Sequence, residues 1–236
     1  MKLNYNFMLE GIFIKRLNRF NSIVNVDGRL FTAHIHDPGR LSELLHRGVK
    51  VLLRKHNNPN AKTNFYLFAV KADSCWVLVD SALHNRIIMH ALNENLLEDF
   101  KVFKFFRREV SFNKCRIDFL LKSDNDRLLL LEVKGCTLVK DGVAIFPDAP
   151  TLRGLKHLKC LVNSMRIGCE AAIIFLITHQ AAEEFAPNWS TDPNFSRMLV
   201  KAYNSGLKIY PYKFILNVEN LSINYVAKLP FSFKFS

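Results

Sequence analysis

Four consecutive leucines at positions 128–131 are the feature that most restricts how this chain can fold. A strand alternates its side chains between two faces, so an uninterrupted apolar run requires a sheet that is covered on both sides. Glu132 and Lys134 follow directly, and the period of two places them on one side of the end of the strand. The run therefore predicts a buried sheet with charged groups at one edge.

The composition is that of a globular protein. Of its 236 residues, 49% are hydrophobic and 23% are charged, which excludes a disordered tail. No stretch approaches the roughly 18 consecutive apolar residues of a membrane span. The five cysteines are odd in number and form no C-x-x-C pair, so we expect no disulfide framework and no zinc ribbon. We expect reduced thiols in a cytoplasmic protein that does not bind a membrane.

The first 80 residues are predicted to form a small β-barrel. Short strands are predicted at 11–17, 20–26, 29–35, 49–55, 65–71 and 75–80, with a short helix at 39–45. Asp27-Gly28 is a strong hairpin signal because both positions tolerate a positive φ. Five or six short strands with one small helix are typical of an OB-type barrel, and an SH3-like barrel has the same periodicity.

Residues 81–236 are predicted to form a second, α/β domain with a mixed sheet. Apolar residues recur at helical spacing from Leu83, and Thr151 and Asp192 are suited to cap two further helices, at 151–166 and 192–206. Strands are predicted at 109–112, 116–121, 128–133, 171–178, 207–214 and 218–226. The whole chain is thus α+β, an OB-like barrel followed by an α/β domain.

Two carboxylates in apolar strands are the strongest indication of chemistry. Asp118 lies within one strand and Glu132 ends the next, where burial is costly unless a cation compensates. Paired as a hairpin, these acids and the Val133 carbonyl would make an oxygen site for Mg²⁺ (or Mn²⁺), with Lys134 beside an attacking water or phosphate. An acid followed by E-x-K is the pattern of the PD-(D/E)xK nuclease superfamily. The alternative is a solvated ion pair.

Glu109, on the preceding strand, is a candidate third acid at this site. The alternative is a surface ion pair with an adjacent arginine, and the sequence favours neither reading.

The positive charge of the chain indicates a polyanionic partner. The formal net charge is +12 and the isoelectric point about 9.6, and half of the excess lies in the first 80 residues. Coding bias toward lysine is the alternative explanation. The candidate phosphate contacts are Arg40, Lys50, Arg54, Lys55 and Lys62 in the barrel, with Arg153 and His157 on one helical stripe of the second domain. The alternative for that stripe is a solvated helix face. Phe65 or Tyr66 could serve as stacking platforms, and the alternative is that they are core aromatics. His34 and His36 share a strand face that a metal ion could use.

The segment KGCTLVKDGVAIFPDAPTLRGLKHL at 134–158 closely resembles the sugar fermentation stimulation protein A (SfsA) family. Further matching segments are DPGRL at 37–41, NNPNAKT at 57–63, NR at 85–86, RIDFLL, EVK, FAPN at 185–188, DPNF at 192–195 and AYNSGLKIYPY. The resemblance implies an OB-like domain joined to a PD-(D/E)xK nuclease-like domain, with Asp118, Glu132 and Lys134 as the nuclease triad and Glu109 as a further match. Two positions depart from the family pattern. Leu152 replaces an acidic residue, and Ala61 stands where a basic residue is common.

The resemblance implies a DNA-binding protein with little sequence preference and a magnesium-dependent nuclease site. The rival hypothesis is a non-catalytic DNA-binding regulator of sugar (maltose) metabolism genes. A third is binding of RNA, which OB barrels also accept. Single- and double-stranded DNA are both candidate partners.

Overall fold

A computed structural model of the chain describes residues 1–3, 5, 8–56, 58 and 60–234. The first six strands are β1 (Met8–Arg16), β2 (Asn21–Val26), β3 (Arg29–His34), β4 (Lys50–Lys55), β5 (Phe65–Ala72) and β6 (Cys75–Leu78). They pair in the order β3-β2-β1-β4-β5-β6, and β3 also pairs with β5. That pairing closes β1–β5 into a ring, so the predicted barrel is confirmed.

The barrel forms because alternate residues of its strands face one core. β2 alternates strictly between buried and partly buried residues, as a half-buried strand requires. The predicted hairpin at Asp27-Gly28 is confirmed, since both residues have positive φ and join β2 to β3. Phe65 is 7% exposed and packs edge-on against Phe31, which makes it a core residue rather than an exposed stacking platform.

The second domain is built on a mixed six-stranded sheet in the order β15-β14-β12-β9-β8-β7. Its strands are β7 (Phe103–Phe112), β8 (Cys115–Ser123), β9 (Leu128–Cys136), β12 (Glu170–Ile177), β14 (Lys208–Asn217) and β15 (Ser222–Lys228). β12 runs parallel to both β9 and β14, whereas β7, β8 and β15 join antiparallel. The predicted α/β class is confirmed.

The leucine run lies in β9 and is buried on both faces. Leu129 and Leu131 pack into one apolar cluster, and Leu130 packs into a second cluster on the opposite face. The helices that cover the sheet are α1 (His84–Asn93), α2 (Leu152–Met165) and α3 (Pro193–Asn204). Thr151 and Asp192 cap α2 and α3 by accepting backbone N–H bonds at 3.0 and 2.9 Å, as predicted.

The helix predicted at 39–45 is absent, and turns take its place. The Arg16 guanidinium donates to the backbone carbonyls of Gly39 and Arg40, which a helix would need for its own ladder. Leu41 has a φ of +50° and is 1% exposed, so its buried side chain holds a backbone conformation that a helix excludes.

Several elements differ from the sequence-based expectation in extent. A small sheet of β10 (Val139–Lys140), β11 (Val143–Phe146) and β13 (Glu184–Pro187) was not predicted. β7 begins at Phe103 rather than at 109, and β15 begins at Ser222 rather than at 218. β9 continues to Cys136 rather than ending at 133, because its ladder with β12 extends that far, so Glu132 lies within the strand and not at its end. The later start of β15 follows from a turn in which the Asn217 side chain accepts two backbone N–H bonds.

Cys115 and Cys160 form a disulfide, so the expectation that all thiols are reduced is wrong for this pair. The two residues are 45 positions apart and meet because α2 packs on the sheet beside β8, which sequence spacing does not reveal. Cys75, Cys136 and Cys169 are free thiols. Within the part of the chain that the structure describes, no helix has the length and apolarity needed to cross a membrane.

Candidate active site at the end of the leucine strand

Asp118 and Glu132 lie on adjacent antiparallel strands. The last ladder pair of β8 and β9 is Phe119 with Leu131, so the next residues, Asp118 and Glu132, are neighbours across the strands. Asp118 accepts hydrogen bonds from the Asn85 side chain and the Val133 backbone N–H, both at 2.8 Å. Burial, and then the charge of Glu132, raise the pKa of Asp118 above its ordinary value. The two carboxylates therefore share one electrostatic environment.

Glu132 is the most deeply buried acid of this group, at 1% exposure. Its Oε1 accepts bonds from the Lys134 ammonium and the His157 ring, while Oε2 is buried without a partner among the described residues. Burial alone would raise the pKa of Glu132, but the Lys134 charge and His157 hold it below its ordinary value. The site thus keeps an ionised carboxylate with one free oxygen.

The start of α1 supplies two contacts to which the sequence pattern assigned no role, although Asn85 lies in one of the segments that match the family. Asn85 holds Asp118, as described above. His84 is 8% exposed and its ring lies against Gly135, where a Cβ would come within 2.1 Å of the ring. Burial lowers the pKa of His84 to about 4, so its imidazole is neutral at physiological pH. Residue 135 therefore has to be a glycine for β9 to pass this helix.

Of the other candidate site residues, Glu109 and Arg54 contact oppositely charged partners, and five cations are exposed. Glu109 is half exposed and forms an ion pair with Arg116, while Arg54 contacts the buried Asp80 at 3.4 Å and stacks on Tyr66. The remaining cations have exposed side chains, as a phosphate-binding surface requires: Arg40, Lys50, Lys55, Lys62 and Arg153.

His157 does not lie on a solvated helix face with Arg153, because it is 5% exposed and contacts Glu132. The Asn-rich loop at 57–63 lies partly outside the described residues, at Asn57 and Pro59. The rings of His34 and His36 meet edge to face, and His36 contacts Asp80 rather than forming a metal pair.

The donor set fits a hard divalent cation that keeps part of its water shell. Across the residues that are described, no group of three or more His, Cys, Asp and Glu side chains is arranged to hold a metal ion. Two carboxylates are present, however, and Glu132 Oε2 is unpartnered and buried. Mg²⁺ is usually bound by one or two carboxylates with waters completing its coordination. Asp118, Glu132 and the Val133 carbonyl are therefore the candidate ligands.

Comparison with protein-family models gives two matches that together span most of the chain. Residues 14–79 match the SfsA N-terminal OB domain, and residues 82–220 match the sugar fermentation stimulation protein RE domain. The first match decides between the two barrel types in favour of the OB fold.

Individual relatives agree with these family matches. The chain is 42% identical to the sugar fermentation stimulation protein homolog of Methanothermobacter thermautotrophicus over 217 residues, 92% of this chain and 90% of that protein. The homolog from Caldivirga maquilingensis is 44% identical over 208 residues, 88% and 89% of the two chains. The structure of Pyrococcus furiosus SfsA in complex with Ca²⁺ superposes with a TM-score of 0.91 at 24% identity, covering 98% of this chain and 99% of that one. This likeness shows that the two proteins share one fold.

Proposed function

The chain belongs to the sugar fermentation stimulation protein (SfsA) family, and from this premise we propose that it is a DNA-binding protein with a Mg²⁺-dependent phosphodiesterase site. The site consists of Asp118, Glu132 and Lys134. The observation that carries the proposal is the burial of an ionised Glu132 with one unpartnered oxygen on β9, an interior strand of an apolar sheet. Burying a carboxylate oxygen without a partner lowers the stability of the fold, and binding of a cation would explain why this oxygen is buried.

Asp118, Glu132 and the Val133 carbonyl would hold the metal. When bound, Mg²⁺ (or Mn²⁺) neutralises charge on a phosphate and makes bound water more acidic. The Ca²⁺ of the Pyrococcus furiosus relative supports a divalent ion of this kind. Manganese and magnesium share a preference for oxygen ligands, so both metals are tested.

The protein's own side chains have separate roles in this proposal. The Lys134 ammonium stabilises the negative charge that develops on the phosphate during attack. His157 fixes the Glu132 carboxylate through Oε1, and Asn85 with the Val133 N–H fixes Asp118. These three contacts orient the carboxylates and do not touch the substrate. Glu109 is a proposed additional acid, although in this structure it is engaged by Arg116.

We assign DNA binding to exposed cations of both domains. The proposed bounds of these domains are 1–80 and 81–236. Lys50, Lys55 and Lys62 of the barrel, with Arg40 and Arg153, would contact the phosphate backbone. Such contacts carry little sequence preference. The binding constant for duplex DNA then falls by roughly 0.9 log units per log unit of salt for each phosphate neutralised.

A non-catalytic DNA-binding regulator is the second candidate. It is favoured by the protein donors that already occupy both Asp118 oxygens and Glu132 Oε1. These bonds satisfy most of the site without a metal. This candidate predicts salt-dependent DNA binding with no cleavage, and RNA is tested as a competitor because single strands of either kind suit an OB barrel.

A cleavage assay separates the two candidates. Single- and double-stranded DNA are incubated with Mg²⁺ or Mn²⁺ and either wild type, Glu132→Gln or Lys134→Met. We expect wild-type cleavage to fall at least about a hundredfold in both variants. Glu98→Gln and Lys101→Met, which alter an exposed ion pair, are the matched controls and should cleave normally. Binding without cleavage by wild type would favour the regulator instead.

A further inference from the structure

A cavity of about 230 Å³ lies between the barrel and the second domain, beside the proposed catalytic lysine. Lys134 and Arg153 contribute to its lining, and Asp37 and Pro38 of the barrel face the segment 145–151 across it. An engineered protein cavity of about 150 Å³ accepts benzene. The space is therefore large enough for a planar heterocycle.

Two carboxylates of this cavity have no cationic partner. Asp37 and Asp148 line it, and neither forms a salt bridge with any residue that the structure describes. Each accepts one backbone N–H bond, from Gly39 at 2.7 Å and from Leu41 at 3.2 Å respectively. In a chain with a net charge of +12, a pair of half-buried acids without a direct ion pair is a specific arrangement.

Two arginines near these acids, Arg16 and Arg19, act on Asp37 through their charge but form no salt bridge with it. The Arg16 guanidinium donates to the carbonyls of Gly39, Arg40, Asp37 and Arg19 instead. The free oxygens of the acids therefore remain available as hydrogen-bond acceptors for a ligand.

The rest of the lining combines cations with uncharged groups. Arg19, Lys134 and Arg153 also line the cavity, so a phosphate can lie beside them. The His84 imidazole is neutral and its Nε2 is buried without a partner among the described residues. Flat apolar surface comes from three prolines, Pro38, Pro147 and Pro150. The two carboxylates accept N–H groups, which a base offers and an ionised phosphate does not.

We propose that this cavity binds one unpaired guanine base of a DNA strand that has a phosphate at Lys134. The proposal rests on the phosphodiesterase site described above and adds a base preference to it. Guanine presents two adjacent N–H donors, N1–H and N2–H, on its Watson–Crick edge, and a carboxylate accepts both. An enzyme that reads an extruded base does so through hydrogen bonds to this edge.

The test measures binding without cleavage. Fluorescent thymidine 12-mers carry T, G, A, C or hypoxanthine at one central position, and their affinities are compared by anisotropy in EDTA. Wild type should bind the G-containing strand about tenfold or more tightly than the all-T strand. The hypoxanthine strand, which lacks the 2-amino group, should fall between them.

Two variants and a control identify the acids as the cause. In Asp37→Asn and in Asp148→Asn, the preference for G should be lost while affinity for the all-T strand is kept. Asp27→Asn removes one charge from an exposed hairpin and should keep the preference. Equal binding of all five strands by wild type, or a preference for G that survives in both cavity variants, overturns the proposal.

The same protein preparations separate this inference from the proposed function. Cleavage in Mg²⁺ without any base preference refutes the guanine cavity alone. A preference for G without cleavage in Mg²⁺ or Mn²⁺ refutes the phosphodiesterase site alone. Absence of binding to every strand refutes both.

Discussion

Asp37 should make the folded protein less stable at neutral pH, and its replacement should reveal by how much. Burial, and to a lesser degree the charge of Asp148, raise the pKa of Asp37 from its ordinary value of 3.8 to about 6. An acid whose pKa is higher in the folded than in the unfolded protein binds its proton more tightly in the folded state. The stability that this proton contributes is complete below pH 3.8 and is lost as the pH rises through 6. Above pH 6, the charged side chain therefore destabilises the native state.

The magnitude follows from the two pKa values. The interval from 3.8 to about 6 corresponds to about 3 kcal/mol at pH 7 and above. Asp37→Asn removes the charge and keeps an oxygen that can accept the Gly39 N–H bond. Because the new amide also needs a partner, we expect a gain of about 1–3 kcal/mol. For a chain of this length each kcal/mol raises Tm by about 2–4 °C.

Thermal unfolding followed by circular dichroism between pH 3.5 and pH 8 tests this reasoning. The Tm difference between Asp37→Asn and wild type should be near zero at pH 3.5 and reach about 2–12 °C at pH 8. Asp27→Asn, at an exposed turn, should show no such dependence. A variant that is less stable than wild type at pH 8, or a Tm difference that does not change with pH, would refute the reasoning.

Three further predictions concern the contacts around the site. Asn85→Ala should lower the cleavage rate about 10–100-fold with little change in Tm, because Asp118 loses one of the two donors that orient it. Separate measurement of kcat and KM checks the loss of rate. Gly135→Ala should lower the unfolding free energy by about 1–3 kcal/mol, because the new Cβ meets the ring of His84. In a double-mutant cycle, adding His84→Ala should restore most of that loss. Reduction of the disulfide of Cys115 should lower the unfolding free energy by about 4 kcal/mol for its 45-residue loop, measured in urea with and without dithiothreitol.

The sequence predicts the architecture because periodicity reports burial. Four leucines required a sheet covered on both faces, and β9 has apolar clusters on both of its faces. Thr151 and Asp192 marked the starts of their helices because capping is a local interaction. The predicted helix at 39–45 failed for the opposite reason. Its backbone carbonyls are taken by Arg16, a contact between distant positions that local pattern does not encode.

The candidate site was predictable only in part, for the same physical reason. Asp118 and Glu132 stood out because carboxylates in apolar strands are costly. Asn85 and Asp148 lie in segments that resemble the family, but residue type and spacing assigned them no role, because a polar residue at a helix start or in a loop is ordinary until the fold brings it to its partner. His157 was placed correctly on the helix that faces the site, but helical spacing could not distinguish a buried contact to Glu132 from a solvated face.

The junction between the domains explains how a barrel can position a site on the neighbouring sheet. Asp80 is fully buried and accepts bonds from His36 at 2.5 Å and Arg54 at 3.4 Å, both from the barrel. It also accepts the Ala82 N–H bond that begins the short 3₁₀ turn leading into α1. Asn85 on α1 then donates to Asp118 on β8, the strand beside the leucine strand β9. The barrel and the carboxylate cluster are thus joined through the buried Asp80, its contacts with His36 and Arg54, and one helix start. A DNA strand bound to the barrel, as proposed, would therefore have a fixed position relative to the proposed site of cleavage.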